Sequence, residues 1–216
     1  MIHQRIQKSL LVELANVNKL VLLDLDDTLV EPAEIYIYRQ FPGEEEVALT
    51  PMEYAKEEVT PENQKYYDYR DFMDPNTVEL SIKTGEPIVA NLEVMDDFIN
   101  KGYSVGILTA RSEEDTIHDT LKDWLMYRNK KGELVPLGNR LSRDLVFAIN
   151  DPKTSSQLKS DSDYTKKAEV IDMLLDEFDE IIFLDDDNKN LKAIRQLKAN
   201  LERSKANKLF IMKAKI

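Results

Sequence analysis

The chain has 216 residues, 42% hydrophobic and 32% charged, which suits one sizeable packed core with room for a small second lobe and excludes a disordered polymer. It has no cysteine, so disulfides, thiol catalysis and thiolate metal sites are excluded, in keeping with a reducing cytoplasm. Its net charge of −12 opposes nonspecific binding to nucleic acid. No apolar stretch approaches the roughly 18 residues of a membrane span, and the N-terminal residues lack the apolar region of a signal peptide. A cytoplasmic protein without a membrane partner is expected.

Taken in chain order, Ile6, Leu10, Leu11, Leu14 and Val17 recur at helical spacing, which predicts an amphipathic helix over residues 3–19. Leu20 to Leu23 is a continuous apolar run, the pattern of a central parallel strand buried on both faces. It ends in Asp24, Asp26, Asp27 and Thr28. Carboxylates at the edge of a core need a metal or a positive group. Two of them in one small loop suit a hard cation such as Mg2+, and an aspartate beside it can attack phosphorus. Asp27 reads as solvated or locally hydrogen-bonded.

Residues 31–90 have a different texture. They hold six of the eight prolines, six of the nine tyrosines, and 14 acidic against 5 basic residues. Short elements and turns are expected, forming a small lid over the end of the first strand. Tyr66, Tyr67, Tyr69 and Phe72 are its densest cluster, either the hydrophobic centre of the lid or a clamp on substrate. Arg70, a lone cation amid acids, suits a phosphate or carboxylate.

The remainder alternates regularly. A helix carrying Leu92, Val94, Met95, Phe98 and Ile99 stops at Gly102. A strand from Tyr103 to Leu108 ends in Thr109-Ala110-Arg111, and a helix begins near Ser112 with Ile117, Leu121, Trp124 and Leu125 on its apolar face. After a loop, Leu145 to Ile149 is a strand ending in Asn150-Asp151, and residues 153–164 read as a polar loop. Lys167 to Phe178 is a helix, Ile181 to Leu184 a strand ending in Asp185-Asp186-Asp187, Asn188 onward a helix, and Lys208 to Met212 the last strand. His118 reads as a helix-face residue.

Strand and helix in alternation predict an α/β fold, a Rossmann-like parallel sheet flanked by helices. Ligands of such sheets bind at the carboxyl ends of the strands, where Asp24, Asp26, Thr109 and Asp185 fall. For phosphoryl transfer there, Asp24 is the candidate nucleophile and Asp26 the acid and base. Thr109 would meet the phosphoryl oxygens, a lysine would neutralise phosphate and carboxylates, and Asp185 and Asp186 would complete a metal shell.

These residues resemble the haloacid dehalogenase superfamily of phosphohydrolases. Asp24-Leu25-Asp26-Asp27-Thr28 matches its first motif, Gly106-Ile107-Leu108-Thr109 its second, and Ile181 to Asp186 its fourth. Its third is a lysine at a helix start. Lys166 and Lys167 compete for it, and Val170 and Ile171 at the third and fourth positions onward favour Lys167. The resemblance implies an aspartyl-phosphate and Mg2+ held by Asp24, the Asp26 carbonyl and an acid of the fourth motif. It implies a core over residues 1–30 and 91–216, with residues 31–90 as a small C1-type cap. Asp187 exceeds the plain acidic pair and suits a helix N-terminus. A weaker likeness, in Thr109-Ala110-Arg111, Trp124-Leu125 and Asn190, is to the phosphatase domain of polynucleotide kinases.

The expected function is therefore a Mg2+-dependent phosphomonoesterase acting on a small phosphate ester such as a nucleotide. Asp24, Asp26, Thr109 and Lys167 would be catalytic, and Thr28, Ala110, Arg111 and Arg70 would bind substrate. The metal set would be Asp24, Asp26, Asp185 and Asp186. Arg111 could instead cap the following helix. Nine basic residues against one acid over 189–216 leave a nucleic-acid-end 3′-phosphatase as the alternative. A phospho-accepting binding module without turnover is a third reading, disfavoured by the presence of Asp26.

Overall fold

A computed structural model describes residues 18–54, 56–60 and 62–215. The helix expected over 3–19 lies almost wholly outside them, and its last residue, Lys19, opens a strand instead. Five parallel strands form the central sheet: β1 (Lys19–Leu23), β2 (Ser104–Thr109), β3 (Leu141–Ala148), β4 (Glu180–Asp185) and β5 (Leu209–Lys213). Their order is β3-β2-β1-β4-β5. The chain runs outward from β1 in both directions, so the switch point falls at the carboxyl end of β1, between β2 and β4. This is an α/β fold compatible with a Rossmann-like architecture.

Side chains alternate across β1, as the two-residue period of a strand requires. Val21 and Leu23 face one apolar layer, Leu20 and Leu22 the other, and all four are fully buried. The first layer is closed by α1 (Pro75–Lys83), α2 (Val89–Asn100) and α3 (Glu114–Trp124) through Val78, Ile82, Leu92, Met95, Ile117 and Leu121. The second is closed by α4 (Asp163–Leu174) and α5 (Asn188–Asn200) through Val170, Ile171, Leu174, Leu191 and Ile194. Each fully buried Leu or Ile contributes about 1.5–3 kcal/mol. Gly106 in β2 is required by this packing, because a Cβ there would sit 2.8 Å from the Leu145 carbonyl and 2.9 Å from Leu22. Among the described residues, no helix is long and apolar enough to cross a membrane.

Packing divides residues 31–90 in two. Val30–Glu31 pairs antiparallel with Glu86–Pro87, and α1 belongs to the main core. The rest folds on itself as a three-stranded sheet with Ile37–Arg39 between Val47–Leu49 and Tyr67–Asp68. Ile37, Leu49 and Tyr67 form its centre, with Phe41, Tyr54, Tyr69 and Phe72 against them. The chain enters and leaves this lobe at one neck, where the Tyr36 amide donates to Asp71 Oδ2 at 3.0 Å. Ser112, in the loop after β2, fixes the lobe by donating from its amide and its hydroxyl to the Phe72 carbonyl, at 3.2 and 3.0 Å.

Several boundaries differ from the sequence expectation. β3 starts at Leu141, and its polar first half slips in register against β2 before Val146. The loop after α3 holds a hairpin, Met126–Arg128 with Leu134–Pro136. The polar stretch 153–164 contains a short helix, Pro152–Ser155, capped by Asp151, and the start of α4 at Asp163.

Candidate active site

The loop after β1 is wound tightly. The Leu25 carbonyl accepts from the amides of Leu29 and Val30 at 2.8 and 3.1 Å, and Asp27 takes a left-handed φ of 55°. An Asp tolerates that conformation better than most residues do. The Asp24 amide continues the sheet by donating to the Leu184 carbonyl at 2.9 Å, and its Oδ1 accepts from the Leu25 amide at 2.8 Å. Asp24, Asp26 and Asp27 thereby face a cleft of about 550 Å3 at the carboxyl edge of the sheet. Thr28 does not line the cleft. It is fully buried and donates from Oγ1 to Asp186 Oδ1 at 3.1 Å.

One turn into α4, Lys167 is 1% exposed and lies 2.8 Å from Asp24 Oδ2 and 2.9 Å from Asp185 Oδ2. Burial opposes its charge, but Asp24 and Asp185 outweigh that and hold its pKa above the ordinary value. Lys166 instead donates to Asn150 Oδ1 at 2.6 Å at the cleft wall. Asp185 is saturated with donors. Besides Lys167, Asn190 Nδ2 reaches both its oxygens at 3.2 and 3.0 Å, and the Asp187 amide donates to Oδ1 at 2.8 Å. Asp187 caps α5 by accepting from the Lys189 amide at 2.7 Å.

Carboxylate oxygens of Asp24, Asp185 and Asp186 lie within 4.8 Å of one another and could hold a metal ion. The donor set fits a hard cation. Burial, partly offset by Lys167 and reinforced by Asp185, pushes the Asp24 carboxyl well above the usual range. Burial and then Asp185 raise Asp186. Burial, Asp186 and Asp26 push Asp27 up to about 6. Such crowded carboxylates are stabilised by a bound cation. Asp186 lines the cleft whereas Asp185 does not, so Asp24 and Asp186 present the accessible oxygens and Asp185 positions Lys167.

Arg111 is neither a substrate ligand on the cleft surface nor a helix cap. It is fully buried behind the cleft and grips Asp26, with Nε 2.9 Å from Oδ2 and Nη2 2.5 Å from Oδ1. Its Nη1 donates to Ser81 Oγ at 2.7 Å and the Val78 carbonyl at 3.3 Å, both in α1. Thr109 is buried at the end of β2, and its hydroxyl accepts from the Arg111 amide at 3.3 Å. Ala110 lines the cleft, and its carbonyl accepts from Asn150 Nδ2 at 2.6 Å.

Arg70 corrects the sequence expectation. It lies outside the cleft, over the Tyr38 ring at 3.6 Å, with Nη2 2.6 Å from Glu46 and Nη1 3.0 Å from Asp68. Acids of its own lobe neutralise it before any substrate could. The structure thus brings Asp24, Asp26, Ala110, Lys167 and Asp186 onto one cleft, sets Thr28, Thr109, Arg111 and Asp185 behind it, and leaves Arg70 away. Of the aromatic cluster expected as lobe centre or clamp, Tyr69 and Phe72 both pack against the lobe centre and line the cleft, and residues given no role from sequence complete the lining: Tyr54 from the lobe, and Ser112, Asn150, Asp163 and Asn190 from the sheet side. Asn150 had a usable signal, its place just past an apolar strand. Ser81 had none.

Compared with models of protein families, with curated proteins and with solved structures, the chain returns no match.

Proposed function

We propose that the protein is a Mg2+-dependent phosphomonoesterase of the haloacid dehalogenase type, acting on a small phosphate ester. The self-contained lobe between Tyr36 and Phe72 would be its small C1-type cap, and the sheet with its flanking helices, α1 included, its core. The observation that carries this reading is the convergence of Asp24, Asp26, Lys167 and Asp186 at the switch point of a parallel sheet, on a cleft roofed by an inserted lobe.

An oxygen of Asp24 attacks phosphorus as the bond from phosphorus to the ester oxygen breaks, and Asp26 gives its proton to the departing alkoxide. Water then attacks the aspartyl-phosphate. Asp26 takes the proton of that water, phosphate leaves, and Asp24 is regenerated. Lys167 keeps Asp24 in place and supplies positive charge beside the phosphoryl group. Mg2+ held by Asp24 and Asp186 would offset repulsion between these carboxylates and a phosphate dianion. The lobe, tied down by Ser112, limits the substrate to one that the cleft can enclose.

The test is release of inorganic phosphate, with and without Mg2+, across sugar phosphates, nucleoside monophosphates and phosphorylated oligonucleotides. Metal-dependent release, lost in Asp24→Asn, is expected. Full activity in Asp24→Asn would rule out the covalent route.

A further inference from the structure

Resting on the phosphatase reading above, we propose that the cleft selects phosphomonoesters whose leaving group carries a positive charge. The evidence lies in what lines the cleft besides the Asp24 cluster. Tyr54, Tyr69 and Phe72 of the lobe line it, as do Asp161, just before α4, and Asp163, its first residue. The Asp163 charge bears on both tyrosine hydroxyls, so carboxylate and rings are neighbours. The Tyr54 and Tyr69 hydroxyls are 2.6 Å apart and bonded to each other, their rings edge to face at 5.7 Å, so the wall offers mainly aromatic surface.

Charge makes the choice. Among the described residues the cleft is lined by seven aspartates and by two cations, Lys166 and Lys167, with no arginine. Lys167 is held between Asp24 and Asp185, and Lys166 is bound by Asn150 with Asp163 4.0 Å away. Neither is free to meet a second anionic group. A divalent cation and the phosphate dianion cancel at the reacting end, so the leaving group sits in the field of the remaining carboxylates. A second phosphate or a carboxylate there is repelled. An ammonium finds carboxylates and aromatic rings lining the same cleft, the pairing that attracts organic cations. A neutral leaving group can stack on the rings but gains nothing from Asp161 or Asp163. The same field disfavours an oligonucleotide end, whose backbone brings further phosphates.

Phosphocholine, its neutral carbon isostere dimethylbutyl phosphate, and phosphoglycolate separate charge from shape. With Mg2+ present, kcat/KM is expected to be about tenfold higher for phosphocholine than for the isostere, with phosphoglycolate lowest, and the gap should narrow as salt is raised. Asp161→Asn combined with Asp163→Asn should bring the ratio of phosphocholine to isostere close to one. Equal rates for phosphocholine and its isostere, or preference for phosphoglycolate, would overturn the inference and leave the phosphatase reading standing. Absence of turnover on any phosphate ester would sink that reading instead. Calorimetric titration of the Asp24→Asn protein with Mg2+ and the same three compounds then decides selection by itself. Tighter binding of phosphocholine than of the isostere supports it, and equal binding overturns it.

Discussion

Arg111 holds Asp26 from behind the cleft, and the same guanidinium reaches Ser81 in α1, so the group proposed to handle the proton is braced by a helix of the surrounding core. A planar fork can grip both oxygens of Asp26 through Nε and Nη2 while Nη1 reaches Ser81, a fixed geometry that a single ammonium does not reproduce. Arg111→Lys is therefore expected to lower kcat roughly tenfold to a hundredfold with little change in KM, because it disturbs the acid and base rather than substrate contacts. Ser81→Ala removes one buried partner of Arg111 and should cost about 1–2 kcal/mol in stability. Steady-state kinetics and denaturant unfolding read the two. An unchanged kcat in Arg111→Lys would sever the link between this pair and catalysis.

The two adjacent lysines should behave oppositely. Lys167→Ala leaves Asp24 and Asp185 buried without their counterion, which costs about 3–5 kcal/mol, and phosphate release should vanish. Lys166 sits at the cleft wall, partly exposed and bound by Asn150, so Lys166→Ala should cost less than about 1 kcal/mol and leave phosphate release largely intact. Chemical denaturation with parallel assays compares them, and the reverse ranking would move the site lysine by one position.

Acidity offers a further check. Burial together with neighbouring acids raises Asp24, Asp27 and Asp186 above the ordinary carboxylate range. The folded protein therefore binds protons more tightly than the unfolded chain at these groups, and stability falls as pH rises from about 4, the unfolded value, through the folded values. Carboxylates with lowered pKa, such as Glu53 bound by Thr50 and Glu57 bound by Arg39, act in the opposite sense. Their stabilisation is complete above about pH 4.5, so they do not mask the trend. Metal-free protein should lose Tm between pH 5 and roughly pH 7, and Mg2+ should restore more Tm at the upper end than at the lower. A Tm that climbs over this interval, with a Mg2+ effect independent of pH, would contradict the assignment.

Asp27→Asn isolates one contributor. The left-handed φ of 55° suits Asn, and the substitution removes a carboxylate held at about 6 by burial and Asp186. Because solvent reaches Asp27, the gain for metal-free protein at neutral pH should be only about 1 kcal/mol, with a flatter pH profile. Thermal melts at several pH values measure it, and a loss of stability would mean that the Asp27 carboxylate has a favourable partner.

Strands β1, β2 and β4 were legible because burial on both faces demands unbroken apolar runs, and Asp24 and Asp185 because charge at the end of such a run is costly unless used. The first half of β3 was hidden by exposed Arg143 and half-exposed Ser142 and Asp144, which lie where the register slips. The start of α4 was hidden because its first turn, Asp163 to Lys166, is polar and faces the cleft rather than the core. Arg70 and Arg111 show the harder limit. Local surroundings gave each a similar reading, but partners decide an arginine's role, and Asp26 and Ser81 lie 85 and 30 residues from Arg111 in the chain. Nothing in local periodicity encodes that meeting.

The neck between Tyr36 and Asp71 has a consequence for how such a protein can diversify. Because the lobe's entry and exit are joined by the Tyr36 amide and the Tyr38 hydroxyl, both donating to Asp71 Oδ2, the polypeptide between them closes a loop whose ends are already together. Lengthening or shortening it costs little closure entropy, only about 0.6 kcal/mol per doubling. Changes of length within residues 37–70 can therefore be absorbed in the lobe, leaving the central sheet and the grouping of Asp24, Lys167 and Asp186 in place.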